Sequence, residues 1–313
     1  MKIKTKLLNL PKLSGVDIWA YLPSEKKYSW DETKKIDLQV YSKFDKSFGE
    51  IVSDIFERNH IDASSREGKT GMIYCISWYN GKSAFILTSF KGLLSDIMAL
   101  THELGHGIHS YLASREQTFL NYESGMTVAE TASKFGELLL TDHLLETTES
   151  TTEKITLLTN QLNWAGMAIF RQSARMWFEQ NLYDAIEKGE YLDGKTISKY
   201  WCAARDKIYG DSVEWFDDMK WEWITTPHYF FTFSRFYNYP YAYAQLFVYA
   251  LYQTYKKEGE SFVPKFKKLL SAGGSVSPEE LGRIVGLDIT TPDFWNLGMK
   301  QYEIFVDELE KLT

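Results

Sequence analysis

The chain has 313 residues, enough for one large domain or two with a substantial core. Its 44% hydrophobic and 25% charged content is ordinary for a globular protein, and a net charge of -7 without a basic patch argues against nucleic-acid or acidic-membrane partners. The cysteines Cys75 and Cys202 match no metal or redox spacing, which predicts a reduced, cytoplasmic protein. No run reaches membrane-spanning length, and the opening MKIKTKLLNLPKL is too poor in apolar residues for a signal peptide.

In chain order, amphipathic spacing first predicts a helix over 33 to 58. A loop follows at 61 to 70, and His60 at its edge reads as a surface residue. Residues 70 to 90, TGMIYCISWYNGKSAFILTSF, place Asn80-Gly81 between two β-rich runs. That predicts a hairpin with a type I′ turn, left-handed at both central residues. A free strand edge there could hold a peptide extended through backbone hydrogen bonds.

The next helix carries the most informative residues. Ser95 reads as its N-cap, and Ile97, Leu100, Leu104, Ile108 and Leu112 recur at helical spacing. Within it, THELGHGIHS sets His102 and His106 four residues apart. At 3.6 residues per turn both imidazoles leave the same face, where one zinc ion can take a nitrogen from each. Glu103 between them can accept a proton from the attacking water, the arrangement of HExxH metalloproteases. His109 falls off that face by about 60° on ideal geometry.

A catalytic zinc keeps three protein ligands and an open position. The metzincin pattern needs a histidine where this chain has Leu112, and the aminopeptidase spacing lands on Gly125, so neither supplies the third ligand. The candidates downstream are Glu116, Glu123, Glu130 and Glu137. The stretch MTVAETASKFGELLLTDHLL patterns as a second amphipathic helix with Glu130 and Glu137 on one stripe. A carboxylate on an apolar face needs a partner. Zinc would serve for Glu130, and Glu137 could then hold the free nitrogen of a ligand histidine. His143, late on this helix, reads as a surface residue.

The remainder is mostly helical, over 154 to 189, 193 to 208, 240 to 257, 261 to 271, 277 to 285 and 292 to 311, with a loop signalled at 272 to 277. From the gap after the second of these helices into the start of the third, His228 stands among Tyr229, Tyr237, Tyr239, Tyr241 and Tyr243. Phenol and imidazole donors suit an oxyanion, and tyrosines also suit a helix packed with its hydroxyls at the rim.

HELGHGIHS followed by VAETASKFGE resembles the thimet oligopeptidase and oligoendopeptidase F family of zinc peptidases. So do FRQSARMWFEQ (170 to 180), IYGDSVEW (208 to 215), the run from PHYFF to ALY (227 to 252) and LLSAGGSVSPEELGRIVGLDITTPDFW (269 to 295). The resemblance covers essentially the whole chain. It implies that Glu130 is the third Zn²⁺ ligand beside His102 and His106, and that His228, Tyr237 and Tyr239 face the oxyanion. It further implies a mainly α, zincin-like catalytic domain over 1 to 313, with a small hairpin or sheet beside the HExxH helix. The family's additional N-terminal helical region, part of a channel wall, is missing from this sequence. Looser selection on peptide length is then expected, with self-association or a separate partner chain.

The reading is a zinc endopeptidase that cuts short unstructured peptides, with Glu103 as general base. Two rivals are a non-catalytic peptide-binding remnant or partner-dependent half enzyme, and a zinc exopeptidase. A binding remnant has no need of Glu103; an exopeptidase needs a charged subsite for a peptide terminus.

Overall fold

Apolar residues at helical spacing dominate the chain, and the computed structural model, which describes residues 1–231 and 235–313, is accordingly built mainly of helices. Its first part runs α1 (Lys2–Leu7), β1 (Leu13–Ser14), α2 (Trp30–Phe44), α3 (Lys46–Glu57), β2 (Ile61–Asp62), β3 (Tyr74–Trp78) and β4 (Ser83–Leu87). The middle holds α4 (Leu94–Glu116), α5 (Thr131–Thr147), α6 (Thr151–Gly166), α7 (Gln172–Glu187) and α8 (Gly194–Tyr209). After β5 (Val213–Glu214) come α9 (Tyr239–Glu258), α10 (Val263–Ser271), α11 (Pro278–Ile284) and α12 (Pro292–Leu312). None of the helices among the described residues is long and apolar enough to cross a membrane.

The chain divides into two compact units. One comprises Met1–Leu22, Leu158–Gln245 and Phe305–Thr313. Here β1 pairs in parallel with β5, and Leu13, Ile18, Tyr209 and Val213 bury together. A second cluster joins Phe178 of α7 to Trp201 and Ala204 of α8.

The other unit comprises Pro23–Leu157 and Leu246–Ile304. Its core is an aromatic cluster in which Phe135 of α5 lies 4.3 Å from Phe266 of α10 and 5.1 Å from Phe44 of α2. A three-stranded sheet runs β2-β4-β3, with β2 parallel and β3 antiparallel to β4, so β3 lies at an edge. The sheet packs beside α4, the HExxH helix, whose Ile97, Leu100, Leu104 and Ile108 are fully buried.

Several local expectations are corrected. The helix expected over 33 to 58 breaks at Asp45, which is extended (φ -155°) and caps α3 by accepting from Ser47 N–H at 2.9 Å. The cap of α4 is Leu93 rather than Ser95, because Asp96 accepts from the backbone N–H groups of Lys91 and Leu93 and so starts the helix earlier. The hairpin forms without the expected type I′ turn. Lys82 is the left-handed residue (φ 50°), closing a loop of residues 79 to 82 between the paired Trp78 and Ser83. Gly81 is needed for space instead: a Cβ there would stand 2.1 Å from the Trp78 ring. His60 and His143 are both buried; the His60 ring bonds Ser83 Oγ through Nδ1 at 3.1 Å and lies on Phe85.

Candidate metal centre and active site

The site begins with a close approach of two backbones. Gly105, inside His-Glu-Leu-Gly-His, faces the start of α5, where a Cβ would stand 2.5 Å from Ser133 Cα and 2.6 Å from Ala132 O. Only glycine lets the helices come this near, and the approach carries Glu130 to the histidines. Glu130 is not in the helix body, as its periodicity suggested, but is the N-cap residue of α5. Its Oε2 accepts from Ser133 Oγ at 2.9 Å, which orients the carboxylate.

Three atoms converge as a result. His102 Nε2 lies 3.2 Å from His106 Nε2 and 3.2 Å from Glu130 Oε2, and His106 Nε2 lies 3.5 Å from Glu130 Oε2. Ligands about 2.0–2.1 Å from a tetrahedral zinc stand roughly 3.3 Å apart, so this triangle has the dimensions of one tetrahedral face. Glu137, one stripe further along α5, accepts from His102 Nδ1–H at 2.5 Å. That bond fixes the tautomer and turns the Nε2 lone pair toward the triangle.

The electrostatics call for a cation. Burial disfavours a charged His102, yet its bonds to Glu130 and Glu137 prevail and hold its pKa up at about 10. The buried Glu137 and the half-buried Glu130 thus create a strong demand for positive charge, which a divalent ion would meet. His106 goes the other way: burial lowers it to about 4 and keeps its lone pair available. Among the described residues, His102, His106 and Glu130 are the group able to hold a metal, and they fit one.

Glu103 is buried on the same helix, and its carboxylate accepts a backbone hydrogen bond from Cys75 of β3. Burial pushes its carboxyl up to about 7, against the pull of His102. A cleft of about 440 Å³ opens over these groups, lined by His102, Glu103, His106 and Glu130, by Tyr74, Cys75 and Ser77 of β3, and by Tyr122, Glu123 and Ser124. His109 also lines it, bonded to the Ala129 backbone beside Glu130. That role was not legible from its position on the helical wheel, since its partner lies in a turn before α5.

The other candidate residues belong to the first unit. His228 stacks on Tyr237, with centroids 4.0 Å apart and planes at 24°. Tyr239, at the start of α9, is exposed and lines a separate hollow with Met176, Trp177, Gln180 and Phe236. Residues 232–234 of this aromatic run lie outside the described residues.

Two histidines of an HExxH helix with a carboxylate from elsewhere in the chain form the donor set known from HExxH metallopeptidases. The chain belongs to peptidase family M3, whose family model matches residues 18–301. It is 28% identical over its full length to the chromosomal oligoendopeptidase F of Lactococcus lactis subsp. cremoris, covering 52% of that protein. Against oligopeptidase PepF of Bacillus subtilis it is 26% identical, covering 99% of this chain and 46% of the relative. A crystal structure from Chlamydophila abortus superposes over 100% of this chain and 52% of its own with a TM-score of 0.90 at 26% identity. Oligoendopeptidase F from Enterococcus faecium shares the fold at a TM-score of 0.72 and 23% identity, over 99% of this chain and 48% of its own. The chain spans about half the length of the curated relatives it matches.

Proposed function

We propose that residues 1–313 form the catalytic region of a zinc-dependent oligoendopeptidase acting on short unstructured peptides. The observation that carries this reading is the His102–His106–Glu130 triangle with Glu103 buried beside it. His102, His106 and Glu130 would hold the metal, and Glu137 would orient His102. When bound, Zn²⁺ supplies Lewis-acid polarisation of the scissile carbonyl and acidifies water at the site. Glu103 takes the proton of the attacking water and delivers it to the amide nitrogen as the C–N bond breaks. The edge of β3 holds the peptide extended by backbone hydrogen bonds, which leaves side-chain choice to the rest of the cleft. His228, Tyr237 and Tyr239 are assigned as oxyanion donors on the family likeness of their segment.

The test combines metal analysis with cleavage of an internally quenched peptide blocked at both ends. Purified protein should contain zinc and cut the peptide internally, and Glu130→Ala should lose most of the metal. Glu103→Gln should keep the metal and lose about a hundredfold to ten-thousandfold in turnover. A Glu103→Gln protein that turns over normally would end this mechanism, and cleavage confined to unblocked peptides would make the protein an exopeptidase.

A further inference from the structure

The cleft has a second wall, fixed by residues far away in sequence. Tyr122, Glu123 and Ser124 line it, in a stretch of turns between α4 and α5. This loop is braced backbone against backbone by the loop after α10. Gly274 N–H donates to Asn121 O at 2.8 Å, and Gln117 Nε2 donates to Ser271 O at 3.0 Å. A Cβ on Gly274 would stand 2.3 Å from Glu123 O. At Gly273, left-handed at φ +53°, a Cβ would stand 2.6 Å from Asn121 O. From the hairpin turn, Tyr79 donates to Gln117 O at 3.2 Å and packs on Tyr122 at 4.9 Å. A loop held on both sides in this way presents its side chains at fixed places.

The group it presents is a carboxylate. Glu123 Oε1 accepts from the hydroxyl of Tyr122, itself buried, at 2.9 Å. Glu123 does not belong to the metal group, it makes no ion pair among the described residues, and no described Lys or Arg lines the cleft. His102 and any bound metal face Glu130 and Glu137, so among the described residues the Glu123 carboxylate is left without a cationic partner and attracts a positive group on whatever enters.

We propose that Glu123 is a specificity-determining residue, selecting peptides that present a cationic group beside the scissile bond. The cation is a Lys or Arg side chain or a free peptide amine, and the chemistry of recognition is the same for both. The proposal rests on the peptidase reading, so binding and cleavage are measured separately. Fluorescent peptides matched except for Lys, Gln or Glu beside the cleavage position, with free or acetylated N-termini, are titrated by anisotropy into the zinc-loaded Glu103→Gln protein. Binding should favour Lys over Glu peptides. Glu123→Gln in that background should reduce the Lys-to-Glu ratio by about three- to fivefold, the scale of an exposed ion pair, and Glu123→Lys should reverse it. The effect should shrink as salt is raised. If the preference follows the free amine and not Lys, Glu123 reads a peptide terminus. A ratio unchanged in both variants, with zinc retained, overturns the proposal. Failure of the wild-type protein to cut any of these peptides would instead overturn the peptidase reading, and the binding ratios would still decide the role of Glu123.

Discussion

Around His102 the polar side chains of the candidate site find one another, whereas among the described residues of 228 to 239 several buried polar atoms find no partner. Glu137 takes the His102 proton, Ser133 holds Glu130, and His109 holds the Ala129 backbone. In the aromatic run, Asn238 is buried with neither amide atom paired among the described residues. His228 Nδ1 and the Tyr229 hydroxyl are likewise unpaired there. The first region pairs its polar groups within the protein, and the second leaves several of its own unpaired among the described residues. The backbone reflects the same contrast. Two regular helices frame the metal ligands, while Pro227–Phe230 is a short 3₁₀ turn and Phe236 is left-handed at φ 52°.

The contrast breaks most visibly at Tyr239. If the aromatic run acts on the transition state, Tyr239→Phe should lower kcat and kcat/KM together by roughly a hundredfold, with KM nearly constant. Steady-state kinetics on the quenched peptide distinguish this from a rise in KM alone, which would make Tyr239 a substrate contact. Unchanged kinetics would leave it as a wall of the hollow beside Trp177 and Phe236.

A smaller effect tests the completeness of the metal side. Glu137→Gln keeps the shape and can still accept from His102 Nδ1–H, but it loses the buried charge. Zinc affinity should fall about tenfold to a hundredfold, read by competition with a chelator. Equal affinity in the variant would mean that Glu137 only fills space.

A change in stability rather than in metal binding tests the floor beneath the ligands. Asp37 of α2 is fully buried and meets Thr101, the residue before His102, at 2.5 Å. Thr101 Oγ1 also lies 2.9 Å from Ile97 O, so its single proton can go to that carbonyl while a neutral Asp37 donates to Oγ1. Burial raises the Asp37 carboxyl to about 8, only partly opposed by Thr101. The unfolded chain ionises this group near pH 4, and the fold keeps it protonated until about pH 8. Stability from this group is therefore full below pH 4 and falls as pH rises toward 8. Asp37→Asn, which can still donate to Thr101, should flatten the decline and add on the order of 1–3 kcal/mol at pH 8. Thermal melts from pH 5 to 8 test this, and parallel slopes for the two proteins would refute it.

The features legible in the sequence were those written in a local period. The α4 helix, its paired histidines and the stripe bearing Glu137 follow from 3.6 residues per turn. Glu130 stands out in the sequence, but its place at the cap does not, because the apolar pattern runs on through the turn that precedes it. Asp96 overrode Ser95 at the start of α4, and a tryptophan ring rather than φ explains Gly81. His60 and His143 looked like surface residues because their cover comes from elsewhere in the chain. The brace between Gly273-Gly274 and Asn121–Glu123 joins segments about 150 residues apart, and periodicity carries no trace of such a contact.

The contact at Gly105 bears on which ion can be accommodated. Because one backbone rests on another there, the spacing of α4 from the start of α5 is fixed, and only side-chain rotation can alter the separation of His106 from Glu130. A triangle with edges of 3.2 to 3.5 Å suits a small ion with short bonds to nitrogen. Calcium, with longer bonds and six to eight oxygen ligands, fits a triangle of two nitrogens and one oxygen poorly. The fixed backbone leaves only side-chain rotation to adapt the triangle to a larger ion.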